Sequence, residues 1–182
     1  MKAKREIYLV GLLFAMALLI VHQGWAQRKP EATGAAIINA FAVDEGYYGY
    51  VWKIYLEGED PNGQMLRIAC SVDQPGFGHY PADWIYLNPE FQKHFKGYIQ
   101  WNTFSSNTPT ITEGAQIMLR VSILDKAGRE SKEVVFPFTF RSEAKGQANL
   151  PAPFDQGANP RLGHIHIDLF DPDSGHGNAS GH

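Results

Sequence analysis

His164 and His166 stand two residues apart in a stretch, 163–170, that alternates polar and apolar side chains. On a strand such a pair lies about 6.6 Å apart, close enough to share one Zn²⁺ or Cu²⁺ ion. Asp168 does not complete the set, because four residues of strand separate it from His164 by about 13 Å. A third ligand would have to fold back from Asp171, Asp173 or His176. Asp171-Pro172-Asp173-Ser174-Gly175 brings carboxylates round a turn as a Ca²⁺ loop does, but a full loop needs more oxygens and a distal Glu. Glu57, Glu59 and Asp60, beside another turn, raise the same question more weakly. The bland alternative in each case is a solvated polar face or turn.

A second chemistry is sugar stacking. Tyr80, Trp84 and Tyr86, with Tyr47, Tyr48 and Tyr55, are expected in loops or on a face turned away from the core, and sugar rings pack on exposed aromatic faces. The competing reading is that large aromatics fill the core and its borders. The lone cysteine, Cys70, allows no intrachain disulfide and reads as a small buried hydrophobe, since a reactive thiol needs an accessible, electropositive setting. No nucleophile elbow, phosphate loop, paired-cysteine motif or metalloprotease helix occurs. No catalytic residue and no cofactor are therefore assigned, and an enzyme is not expected.

The elements that would position these residues are strands. Apolar alternation with period two, punctuated by Gly, Pro, Asn and Asp, places strands at 35–43, 50–57, 65–73, 84–87, 98–104, 116–125 and 133–141. Asp60-Pro61-Asn62-Gly63 suits a type I turn. Residues 74–83, with two Pro and two Gly, read as a loop. Asn88-Pro89-Glu90 reads as a helix start, with Phe91 and Phe95 four apart and Gly97 as the stop. Pro137 cannot donate to a ladder, so its strand should lie at an edge or carry a bulge. About seven strands and one short helix predict an all-β fold, an immunoglobulin-like Greek-key β-sandwich over residues 35–141.

Val121-Ser122-Ile123-Leu124-Asp125-Lys126-Ala127-Gly128-Arg129-Glu130-Ser131 resembles the final hairpin of bacterial immunoglobulin-like and fibronectin type III-like domains. The resemblance covers that hairpin, and it implies an adhesive or spacer module in an extracytoplasmic protein. The inter-sheet cysteine pair of antibody domains is missing, and Ile117 stands where many relatives carry the corner tyrosine.

The flanks are of another composition. Lys2, Lys4 and Arg5 precede an apolar run over 7–21, and Gly24 and Ala26 suit signal-peptidase cleavage after residue 26. The run is 15 residues, shorter than the 18 to 20 a spanning helix usually needs. Residues 1–26 thus read as a signal peptide and the product as periplasmic or secreted, the alternative being a membrane anchor formed by residues 7–21. Residues 27–34 read as a linker. Residues 142–182 read as a flexible tail rich in Gly, Pro, His and Asp, with 163–170 able to add as an edge strand.

Losing residues 1–26 removes Lys2, Lys4, Arg5 and Glu6, which takes 16 basic and 19 acidic residues to 13 and 18, a formal charge of −5. Nucleic acid is not an expected partner of an acidic chain without a basic patch, and a membrane would be met only through an uncleaved leader. The expectation is an exported interaction or structural module of the cell envelope, binding an envelope or extracellular protein through a sandwich edge or the tail strand. The alternatives are a carbohydrate-binding module and a metal-binding tail.

Overall fold

A computed structural model describes residues 34–106, 108, 110–143 and 149–170. The leader, residues 27–33 of the linker, and Asp171, Asp173 and His176 lie outside the described residues. Among the described residues nine strands follow in order: β1 (Ala36–Ala42), β2 (Glu45–Gly46), β3 (Val51–Glu59), β4 (Met65–Gln74), β5 (Gly78–Tyr86), β6 (His94–Asn102), β7 (Gln116–Asp125), β8 (Val134–Phe140) and β9 (Arg161–Ile165). They form a four-stranded sheet ordered β1-β3-β6-β9 and a five-stranded sheet ordered β2-β8-β7-β4-β5. Pairing is antiparallel except for β2 on β8 and β9 on β6, which are parallel.

Taking β1, β3, β4, β5, β6, β7 and β8 as A, B, C, C′, E, F and G gives one sheet A-B-E and another G-F-C-C′. That is the strand arrangement of the immunoglobulin fold. The chain is therefore an all-β, immunoglobulin-like sandwich. Its core is built from the inward faces that the alternation marks: Trp52, Ile54 and Leu56 from β3, Ile117, Leu119, Val121 and Ile123 from β7, and Phe136, Phe138 and Phe140 from β8 are all buried. Trp52 of one sheet meets Phe138 of the other at a centroid distance of 4.5 Å, and its indole N–H donates to the Val43 carbonyl at 2.9 Å, so the large ring is buried with its polar atom satisfied.

Two expectations are corrected. The 74–83 loop is instead a tight turn followed by β5, an edge strand beginning at Gly78. Pro81 is tolerated there because the ladder slips between Cys70 and Val72, leaving extra β5 residues unpaired. The short helix reduces to one 3-10 turn, Pro89–Phe91, and the Asn88 side chain makes no cap. The chain enters β6 at His94 because Phe95, Ile99 and Trp101 continue the inward alternation, and the Phe95 ring needs the space left by Gly58, where a Cβ would come within 2.5 Å of it. Pro137 sits at the open side of β8: Thr139 and Arg141 donate outward to the carbonyls of Asp44 and Gly46, and β2 begins opposite Thr139, already past Pro137.

Residues 149–170 form a strap on the sandwich. Phe154 packs on Tyr55 at 5.7 Å, and the Lys96 ammonium donates to the carbonyls of Pro153 and Gln156. β9 then lies beside β6, and the alternation of 163–170 buries Ile165, Ile167 and Leu169 while His164, His166 and Asp168 stay exposed. The strap closes the side of the sandwich: Trp101 donates its indole N–H to the Ile167 carbonyl, Gln74 donates to the Phe170 carbonyl, and the Phe170 N–H reaches the Tyr80 hydroxyl.

Candidate functional site

The expected aromatic group does not stay together. Tyr80 is 4% exposed, stacked on Phe77 at 4.7 Å, its hydroxyl bonded to the Gln74 side chain. Trp84 and Tyr86 are 39% and 63% exposed on the opposite face of the same strand. The slip at Pro81 and Ala82 separates them, since it inverts the parity of every residue beyond it.

On that outer face the registers bring three strands together. Trp84 lies opposite Ala69, which lies opposite Ser122, and Ser71 lies opposite Arg120. Small side chains at Ala69, Ser71 and Ala82 leave a depression of about 460 Å³, bordered by Trp84, His79, Arg120, Ser122, Glu130 and Glu133. Arg67 stands one row further along, its guanidinium 4.0 Å from the Trp84 ring centroid and donating to the Tyr86 hydroxyl at 3.2 Å. The polar border is cross-linked: Arg120 pairs with Asp73 at 2.6 Å and Glu133 at 3.3 Å, Asp73 also bonds His79 at 2.7 Å, and Ser122 donates to Glu130. Bonds with His79 and Arg120 hold the Asp73 carboxyl below its ordinary range, outweighing the upward pull of its partial desolvation.

The histidine pair is present but incomplete. The rings of His164 and His166 are 6.3 Å apart, and the His166 backbone N–H and Nδ1 both face the Asp83 carboxylate, at 2.7 and 3.4 Å. Among the described residues no group of three or more His, Cys, Asp or Glu is placed to hold a metal ion. The carboxylates by the first turn serve the backbone and their neighbours. Asp60 accepts the N–H groups of Asn62 and Gln64, and Glu57 bonds Asn39 and His94. Cys70 is fully buried, and that burial, with the nearby Asp83 charge, raises its thiol well above the ordinary value.

The sheet edges differ in how they are protected. β2 has two residues. β5 carries Pro81 and a slip in its ladder, and the strap packs beside it, a Cβ at Gly163 overlapping Ile85. β9 is five residues long and includes Arg161 and His164. β1 is seven residues, Ala-Ile-Ile-Asn-Ala-Phe-Ala, with neither charge nor proline. Ile38, Asn39 and Ala40 are exposed, and among the described residues no strand lies beyond it. Sequence reading missed this edge because nothing local marks a strand as terminal. The signal available was the absence of Lys, Glu or Pro from 36–42.

The fold and these surfaces define a small immunoglobulin-like sandwich. No family model matches the chain, and no curated protein matches it. Among solved structures it is similar to the PKD domain of M14-like peptidase from Thermoplasmatales archaeon SCGC AB-540-F20, at 15% identity and a TM-score of 0.39, covering 59% of this chain and 96% of that one.

Proposed function

We propose that the chain is a non-catalytic interaction module, exported to the cell envelope or beyond, that takes a strand of a partner protein onto the outer edge of β1. The observation that carries this is the uncharged, proline-free seven-residue edge with Ile38 42% exposed. Natural sheets guard such edges with charge, proline, bulges, brevity or cover; β1 carries only the register slip at Ile38, and an edge guarded so little is a template for main-chain pairing. The tail is not the binding arm in this reading, because its apolar side chains, Ile165, Ile167 and Leu169, are spent on its own core. Export is supported by the composition of residues 1–26, and the module reading by the likeness of the 121–131 hairpin to bacterial immunoglobulin-like domains. Non-catalytic character is supported by the engagement of Asp60 and Asp125 in turn backbone and by the burial of Cys70.

Affinity capture from the native envelope fraction tests the reading when the bait is compared with Ile38→Lys/Ala40→Lys. Both positions are exposed, so lysines there keep their charge in solvent and oppose an added strand. A protein retained by the parent and lost from the double variant supports edge pairing. Equal retention by both moves the partner elsewhere.

A further inference from the structure

We propose that the depression on the outer face of the five-stranded sheet is a binding site for one neutral pyranose unit of an oligosaccharide. It lies on the sheet opposite to the one containing β1 and is carried by separate observations.

A pyranose presents an apolar C–H face and a rim of hydroxyls, and the depression offers a counterpart to each. Trp84 supplies an exposed aromatic ring at its border, steadied by the Arg67 guanidinium, which does not itself line the depression. Indole rings bury large area at small entropic cost, and this one is held before any ligand arrives. Across the small-residue floor stand Arg120, Glu133 and Glu130, so donors and acceptors face the ring from the other side. Each is already fixed by a neighbour, Arg120 between Asp73 and Glu133 and Glu130 on Ser122, so few side chains would have to be ordered on binding. A volume of about 460 Å³ is within the ordinary range of small-molecule sites.

Charge decides the class of sugar. Glu130 and Glu133 outnumber Arg120, so a uronate or phosphosugar would add like charge to an acidic border. Neutral hydroxyls can donate to the carboxylates and accept from the guanidinium. An apolar peptide would strip water from those groups and meet none of their remaining bonding capacity, which the same geometry disfavours.

The test is titration calorimetry of the full chain with cello-, malto- and mannohexaose and hexa-N-acetylchitohexaose, with trigalacturonate as the anionic comparison. At least one neutral oligosaccharide should bind more tightly than trigalacturonate. Trp84→Ala should weaken binding about tenfold, equivalent to about 1.4 kcal/mol. Ser71→Leu, which fills the floor and leaves the ring in place, should weaken it similarly and guards against a folding artefact of the first variant. Ile38→Lys/Ala40→Lys should bind within twofold of the parent. The proposal is overturned by the absence of heat with all four neutral sugars at millimolar concentration, by preference for trigalacturonate, or by binding that survives both Trp84→Ala and Ser71→Leu.

Discussion

Replacing Gly97 by alanine tests whether the strap belongs to the fold. Gly97 lies on β6 opposite Leu56, where the strap crosses the strand, and the Pro160 carbonyl accepts the Tyr98 N–H at 3.0 Å. A Cβ at position 97 would overlap that carbonyl oxygen and crowd the Leu162 side chain. The oxygen is backbone and cannot rotate away, so residues 160–162 must shift. Overpacking of this kind costs about 1–3 kcal/mol. Losing the hydrogen bond adds about 1 kcal/mol. Complete release of the strap would cost more, since burying each of Ile165, Ile167 and Leu169 is worth about 1.5–3 kcal/mol, so the strap should slide rather than leave. The expected loss is about 2–4 kcal/mol in urea unfolding, with faster proteolytic cleavage within 142–170. Gly34→Ala, where a Cβ meets nothing within 4 Å, is the control and should fall within about 0.5 kcal/mol of the parent. A Gly97→Ala chain as stable and as protease-resistant as the parent would refute the seating of the strap on β6.

Asp125 is buried beneath the β7–β8 turn, where burial pushes its carboxyl up but bonds from Arg129 and the Ala127 N–H outweigh this and hold it below the ordinary value. Its contribution should be complete above the unfolded value of about 3.9 and fade as pH falls through the lower folded value. Urea midpoints across pH should show Asp125→Asn weaker than the parent at pH 7 and converging with it near pH 2; parallel curves would contradict the assignment. Cys70 should resist iodoacetamide at pH 8 until denaturant is added, as followed by mass, because its thiol is buried and its ionisation opposed.

Much of the sandwich is legible residue by residue. β7 runs over the residues that the alternation marks, because Ile117, Leu119, Val121 and Ile123 all face one core with no glycine or proline between them. β5 is hidden because Pro75, Gly76 and Pro81 are turn residues by every local rule, and only the pairing with β4 absorbs Pro81 as a slip. That slip also explains the dispersed aromatic site. Tyr80 and Trp84 share parity, as partners on one face should, yet two residues set against one send them to opposite faces. Trp84 and Tyr86 could be singled out as aromatics, whereas the floor and border of the depression draw also on β4, β7 and the turn before β8, and their meeting depends on register across the sheet. The polar and apolar faces of 163–170 are readable in the same way. Their use as the chain's own core is not, because the partner strand lies some sixty residues earlier.

Amide hydrogen exchange across β1 in the free full-length chain tests the central claim most directly. An open edge has one side bonded to β3 and the other facing solvent, so protection over residues 36–42 should alternate on either side of the register slip at Ile38, with outward N–H groups exchanging orders of magnitude faster than those of β3. Protection running unbroken through 36–42 at the level of β3 would mean that another segment already occupies the edge, and the proposed partner strand would have nowhere to bind.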